Sequence, residues 1–139
     1  MALTQAMCTS FKGEILDEQH DLVADTIKVA LFTSSATLNA TTTAYGTTNE
    51  VANGSGYATG GVTLSSKAVA TTGTIAYFDA ADPEWTSASF TANGALVYNA
   101  SNGNKSIAVL AFGGDFTVSG GTFKIVFPAA GTGAIIRID

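Results

Sequence analysis

The sequence predicts an all-β fold, an antiparallel β-sandwich or jelly-roll-like barrel with a short N-terminal α-helix, organised as one domain over residues 1–139. Three observations carry this expectation. Apolar and polar residues alternate in several short runs, the two-residue period of a half-buried strand. Gly, Asn and Ser gather between those runs as turn material. Strand-like runs never alternate with long helical patterns, so neither βαβ units nor a parallel sheet is expected. A chain of 139 residues can bury roughly two-thirds of its extended surface, enough for a single core.

In chain order, Leu3, Met7, Phe11 and Ile15, with Leu16 beside them, draw one apolar stripe at a spacing of four. The spacing predicts a helix within residues 1–19, ending near Glu18 or Gln19, and Gly13 weakens it by about 1 kcal/mol relative to Ala. Packing on a sheet is expected to hold it. Thr26 to Thr33 reads as a strand with one face buried and the other partly polar. Residues 34–61 form a long Ser, Thr, Asn and Gly tract with isolated aromatics at Tyr45 and Tyr57. A tract of that length exceeds ordinary turns, so an ordered excursion is predicted.

Val62 to Val69 and Thr74 to Phe78 read as a hairpin closed by Ala70 to Gly73. Asp82, Pro83, Glu84 and Trp85 form a structural corner, because Pro83 fixes its own backbone and biases Asp82 towards extension. The corner leads into a strand from Ser87 to Tyr98. Asn99 to Asn104 then turns the chain into a strand from Ser106 to Phe112. Gly113–Gly114 and Gly120–Gly121 are read as breaks on either side of Phe116 to Val118. Thr122 to Phe127 is a further strand, stopped by Pro128, and Ala134 to Ile138 is expected in the core.

Composition narrows the function. Charged residues make up 12% of the chain against 46% hydrophobic, about half the usual globular share of charge. A surface so poor in charge suits packed contacts with other chains. The formal charge is −5, and the six basic residues form no patch, so nucleic acid is not an expected partner. Glu14, Asp17, Glu18, Asp21 and Asp25 concentrate acid in one short region, read as a solvated helix end and turn. No apolar run reaches the roughly 20 residues that span a bilayer, and no secretory-signal pattern opens the sequence. No membrane partner and synthesis in a cytosol are expected.

Chemistry-bearing residues are few. Cys8 is the single cysteine and His20 the single histidine, so no intramolecular disulfide and no His-rich metal centre can form. The two do not share a helical turn, and no Gly-x-Ser-x-Gly elbow occurs. Asp79, Asp82 and Glu84 are the best carboxylate cluster. Read as a turn, they cap backbone amides; read as a site, they would bind calcium or work as an acid and base pair. Trp85 beside them would either seal the end of a sandwich or stack on a sugar. No catalytic residue, cofactor or resident metal is expected.

Four further segments, NEVANGSGYATGGVTL (Asn49 to Leu64), FDAADPEWTSASFTANGALVYN (Phe78 to Asn99), AVLAFGG (Ala108 to Gly114) and FKIVFPAAGTGAIIRI (Phe123 to Ile138), together with the opening MALTQAMCTSFKGEIL, run nearly the whole length of the chain. In that order they resemble small virion structural proteins of tailed bacteriophages, the capsid decoration or cement proteins. The segment around Asp82 to Trp85 is the most specific. The resemblance implies a structural protein rather than an enzyme, made in the bacterial cytoplasm and placed on the capsid surface of the virion. It would bind the major capsid protein and stabilise contacts between its subunits, as a homotrimer at a threefold position. Leu3, Met7, Phe11, Tyr45 and Tyr57 are the expected partner-binding residues. A tail or host-attachment module that meets carbohydrate through the Asp82 to Trp85 corner is the alternative.

Overall fold

The computed structural model describes residues 3–128 and 134–138. Within them the chain is mostly strand, with one short helix, in the order β1 (Ala6–Met7), α1 (Thr9–Leu16), β2 (Ile27–Phe32), β3 (Val62–Thr63), β4 (Ala68–Thr72), β5 (Ile75–Asp79), β6 (Glu84–Asn99), β7 (Lys105–Lys124) and β8 (Ile136–Ile138). A five-stranded sheet has the order β1-β7-β6-β2-β3, and a three-stranded sheet has the order β4-β5-β8. Every ladder between these strands is antiparallel. The expected all-β fold with a short helix is what forms.

The core lies where β2, β6 and β7 run side by side. Ile27 to Phe32 pairs with Asn99 to Gly94, and the same stretch of β6 pairs with Lys105 to Ala111 of β7. Ile27, Val29, Ala30, Leu31, Leu96, Val97, Ile107 and Val109 are all within 1% of complete burial. β2 is therefore covered on both faces, not on one as its alternation implies. The 34–61 tract lies over one of those faces as an ordered excursion, stitched to the sheet by backbone bonds from Thr33 N to Asn49 O, Val51 N to Leu31 O, Tyr45 N to Asn104 O and Ser89 N to Ser55 O.

Four further expectations change. The apolar stripe from Leu3 is not one helix: α1 begins only at Thr9, Leu3 bridges Leu38, and Ala6–Met7 pairs with Val109 and Ala108. The open edge of β7 offers backbone partners that outweigh the weak helical propensity of this segment. Gly94 makes room for Leu3, since a Cβ there would lie 2.2 Å from Leu3 Cδ2. Val62 to Val69 is not one strand, because Val62–Thr63 joins β2 in the large sheet while β4 joins β5 in the small one.

The glycine pairs do not break β7. Between the Ala92–Phe116 and Gly94–Ala111 pairs β7 carries extra residues, and between Ala88–Gly121 and Ser89–Ser119 it carries one more. Gly113 and Gly120 take up these irregularities at φ 81° and 65°, a left-handed backbone that glycine enters without a Cβ clash. β6 and β7 thus form one long hairpin; in its outer half Trp85, Ala88 and Ala92 of β6 stay buried in the core, while much of β7 is exposed. Finally, the last strand is an edge strand: Ile136 is buried against β5, whereas Ile138 is 59% exposed.

Candidate functional site

The two tyrosines of the excursion turn inward. Tyr57 is buried and Tyr45 half-buried, packed against the core. Both phenols donate to Glu50, Tyr45 to Oε1 at 2.6 Å and Tyr57 to Oε2 at 2.5 Å, and Gly60 N–H adds a third bond to Oε2 at 2.7 Å. Leu31 N–H donates to the Tyr57 hydroxyl at 2.9 Å, while the Tyr98 hydroxyl donates to Gly60 O at 2.7 Å. Tyr45 stacks on Tyr98 with ring centroids 4.3 Å apart. Burial, reinforced by the bonds to Glu50, raises both the Tyr45 and Tyr57 phenols. Burial and the Glu50 charge push Tyr98 up to about 12. This knot fastens the excursion to β2 and β6. It consumes the side chains expected to reach a partner.

The N-terminal candidates divide in the same way. Phe11 is buried, and its ring meets His20 edge-on at 4.9 Å; Leu3 and Met7 are half-buried and pack on the core. His20 belongs to a buried polar network. Its Nε2 lies 3.0 Å from Glu14 Oε1 and its Nδ1 lies 3.1 Å from Asn99 Nδ2. Asn99 also donates to Asp25 Oδ2 at 2.7 Å and accepts from Ser101 N–H at 2.9 Å. These two partners fix the amide's orientation. His20 Nδ1 must therefore accept and Nε2 carry the hydrogen toward Glu14. The Asn99 bond, helped by Asp21 N–H, holds the Asp25 carboxyl below its ordinary range. Burial raises the Cys8 thiol, which keeps it protonated and a poor nucleophile.

The acidic corner is built as structure. Asp82 Oδ1 accepts from Phe127 N–H at 2.9 Å, and Pro83 O accepts from Ile125 N–H at 3.0 Å, so the corner ties β6 to the chain leaving β7. Glu84 pairs across the ladder with Lys124, and Asp79 pairs with Ala68 in the small sheet. No group of three or more His, Cys, Asp or Glu side chains able to hold a metal occurs among the described residues. Trp85 lies inside β6 rather than before it and is 3% exposed, covered by Tyr57 at 6.3 Å and met edge-on by Phe123 at 5.9 Å. An indole so enclosed offers no face to a sugar.

What remains open is apolar. At the outer half of the long hairpin, Phe90, Phe112, Phe116 and Phe123 form a chain of ring contacts at 5.3 to 6.1 Å. Its far end is uncovered: Phe116 is 53% exposed and Val126 72%. Phe112, Phe116, Val118, Phe123 and Val126 border a shallow groove of about 470 Å³. A larger cleft, about 760 Å³, separates α1 from the small sheet and is walled by Met7, Phe11, Ile15, Phe78 and Ile136, among others. The outer-hairpin surface escapes sequence reasoning because the glycine pairs read as strand ends. The phenylalanines at 112, 116 and 123 were the available signal.

No protein-family model, no curated protein and no solved structure matches this chain. The likeness to phage decoration proteins therefore rests on the sequence motifs.

Proposed function

We propose that the chain is a structural virion protein that binds the outer face of a phage capsid and stabilises contacts between major capsid subunits. The observation that carries the reading is the outer half of the β6–β7 hairpin. Its bulged ladder of paired strands, with the chain that leaves β7, exposes Phe116 and Val126 beside a half-buried Val118, with Glu84, Asp115 and Lys124 as its charged residues. A sheet face of aromatics and Thr suits burial against another protein, where apolar area removed from water yields about 25 cal/mol per Å². The enclosed polar networks support a structural role, since their members satisfy one another instead of facing a substrate. A homotrimer at a threefold position remains the assembly implied by the resemblance.

The buried indole weakens the alternative of a carbohydrate-binding tail module. The test is co-sedimentation of purified protein with capsids lacking it. Wild-type protein should pellet at saturating, lattice-related occupancy, and Phe116→Ser combined with Val126→Ser should weaken binding at least tenfold without changing the melting temperature by more than a few degrees. Unaltered capsid binding by that variant would overturn the assignment of this face, and failure of wild type to bind any capsid surface would overturn the reading itself.

A further inference from the structure

The most exposed regular element is β4. All five of its residues, Ala68 to Thr72, are exposed, and among the described residues it is hydrogen-bonded on one side only, to β5. Proteins ordinarily protect such an edge with charge, proline or a bulge. Here, residues 68–76 carry no charge and no proline, and the β4–β5 register is unbroken from Ala68–Asp79 to Thr72–Ile75. Lys67, the one flanking cation, is turned back to donate to Asp25 O. Val69 is 57% exposed at the rim of the α1 cleft that it helps to line.

The geometry of the turn fixes which backbone groups are unpaired. Gly73 at φ 57° and Thr74 form a two-residue loop, with glycine in the first central position that a II′ turn requires. Such a loop closes on a hydrogen-bonded pair, Thr72 with Ile75. Bonded and non-bonded pairs alternate along an antiparallel ladder, so Ala70 and Ala68 also spend their N–H and C=O groups on β5. Val69 and Thr71 direct theirs to the open edge.

We infer that β4 pairs with β4 of a second copy of this chain, antiparallel and centred on Ala70. In that register Val69 of each copy faces Thr71 of the other, and these are the residues with outward N–H and C=O groups. The dyad makes four backbone bonds, two per Val69–Thr71 pair, with Ala70 meeting its own symmetry mate. β-branched side chains sit opposite one another, a favourable cross-strand pairing, and no like charges are opposed although each chain carries −5. Self-complementarity selects the second copy: the edge satisfies its own dyad in donors, acceptors and side-chain size. The two small sheets would join into one six-stranded sheet and lengthen the wall of each α1 cleft.

The contact is independent of capsid binding and of any threefold ring built through other surfaces. Native mass spectrometry of the full chain over a range of concentrations tests it. Wild type should show dimers, or hexamers if a trimeric ring also forms. Thr71→Pro removes an outward N–H without removing a β5 bond, a position where an edge strand tolerates proline, and should weaken pairing at least tenfold. Val69→Lys with Thr71→Lys sets like charges opposite each other and should abolish pairing; Val69→Lys with Thr71→Glu sets opposite charges there and should restore it. Circular dichroism confirms that each variant is folded. Absence of even-numbered species in wild type, or their persistence unchanged in the Thr71→Pro and double-Lys variants, would overturn the inference. Trimers that survive those variants leave the ring reading standing and show that the even-numbered step alone ran through β4.

Discussion

Residues 34–61 and the β4 strand invert the usual relation between regularity and anchorage. The excursion contains no named strand or helix, yet Tyr57 is 3% exposed, Val51 is buried, Glu50 gathers Tyr45, Tyr57 and Gly60, and bonds from Leu31 to Tyr57 and from Tyr98 to Gly60 tie this knot to β2 and β6. β4 is a regular strand of five residues with none buried. The difference teaches that side-chain burial and satisfied polar groups fix a segment, whereas a repeating backbone conformation with an open edge does not.

The comparison is broken most severely at Gly61. It sits at φ 80°, and a Cβ there would lie 1.8 Å from Val29 O. Gly61→Ala should destabilise the fold by about 3 kcal/mol or more, read by thermal melting. Tyr57→Phe comes next: Leu31 N–H loses its acceptor beneath the excursion and Glu50 loses a donor, for an expected loss of about 2 kcal/mol. A loss from Tyr57→Phe no larger than that of an exposed substitution would mean that the knot does not anchor the tract.

Alkali should act on the same region. The phenols of Tyr45, Tyr57 and Tyr98 are raised in the folded protein above the ordinary value of 10.0. Their contribution to stability is therefore complete below pH 10 and is lost as pH climbs through their folded values, Tyr98 at about 12. Denaturant midpoints should hold steady up to pH 10 and fall beyond it, and Tyr57→Phe should reduce the fall. At the acid end the sign reverses. Asp25 is held below 3.8, so its contribution is present above that value and is lost as pH falls through the folded one. Asn99→Ala should flatten this acid limb.

The smallest effect belongs to β4. Thr71→Pro should change the stability of the isolated monomer by less than about 1 kcal/mol, because the lost N–H faces solvent. A much larger loss would show that β4 is held by the body of the protein after all.

The contrast between the regions also explains what the sequence discloses. Alternation places β2 and β5, although β2 is covered on both faces, and the Asn and Gly residues of 99–104 place the β6–β7 turn. The ordered excursion is legible from its length and its aromatics, but the direction in which those aromatics point is not. Tyr45 and Tyr57 are alike as surface anchors or core staples until Glu50 is seen between them. Leu3 and Met7 mislead for a related reason, since a spacing of four fits a helix and an edge strand of two residues gives no period of its own. The glycine pairs at 113–114 and 120–121 read as punctuation, whereas positive φ at one member of each lets a twenty-residue strand bulge and continue. That misreading hides the exposed face of the hairpin, the surface on which the proposed function rests.

The central claim is that this chain is a shell component whose outer hairpin packs on capsid subunits. Quantitative mass spectrometry of purified virions, reporting copies of this protein against copies of the major capsid protein, tests it most directly. The account predicts a fixed ratio set by the lattice, with numbers comparable to the shell subunits. Absence from the particle, or the few copies expected of a tail or portal part, would contradict it.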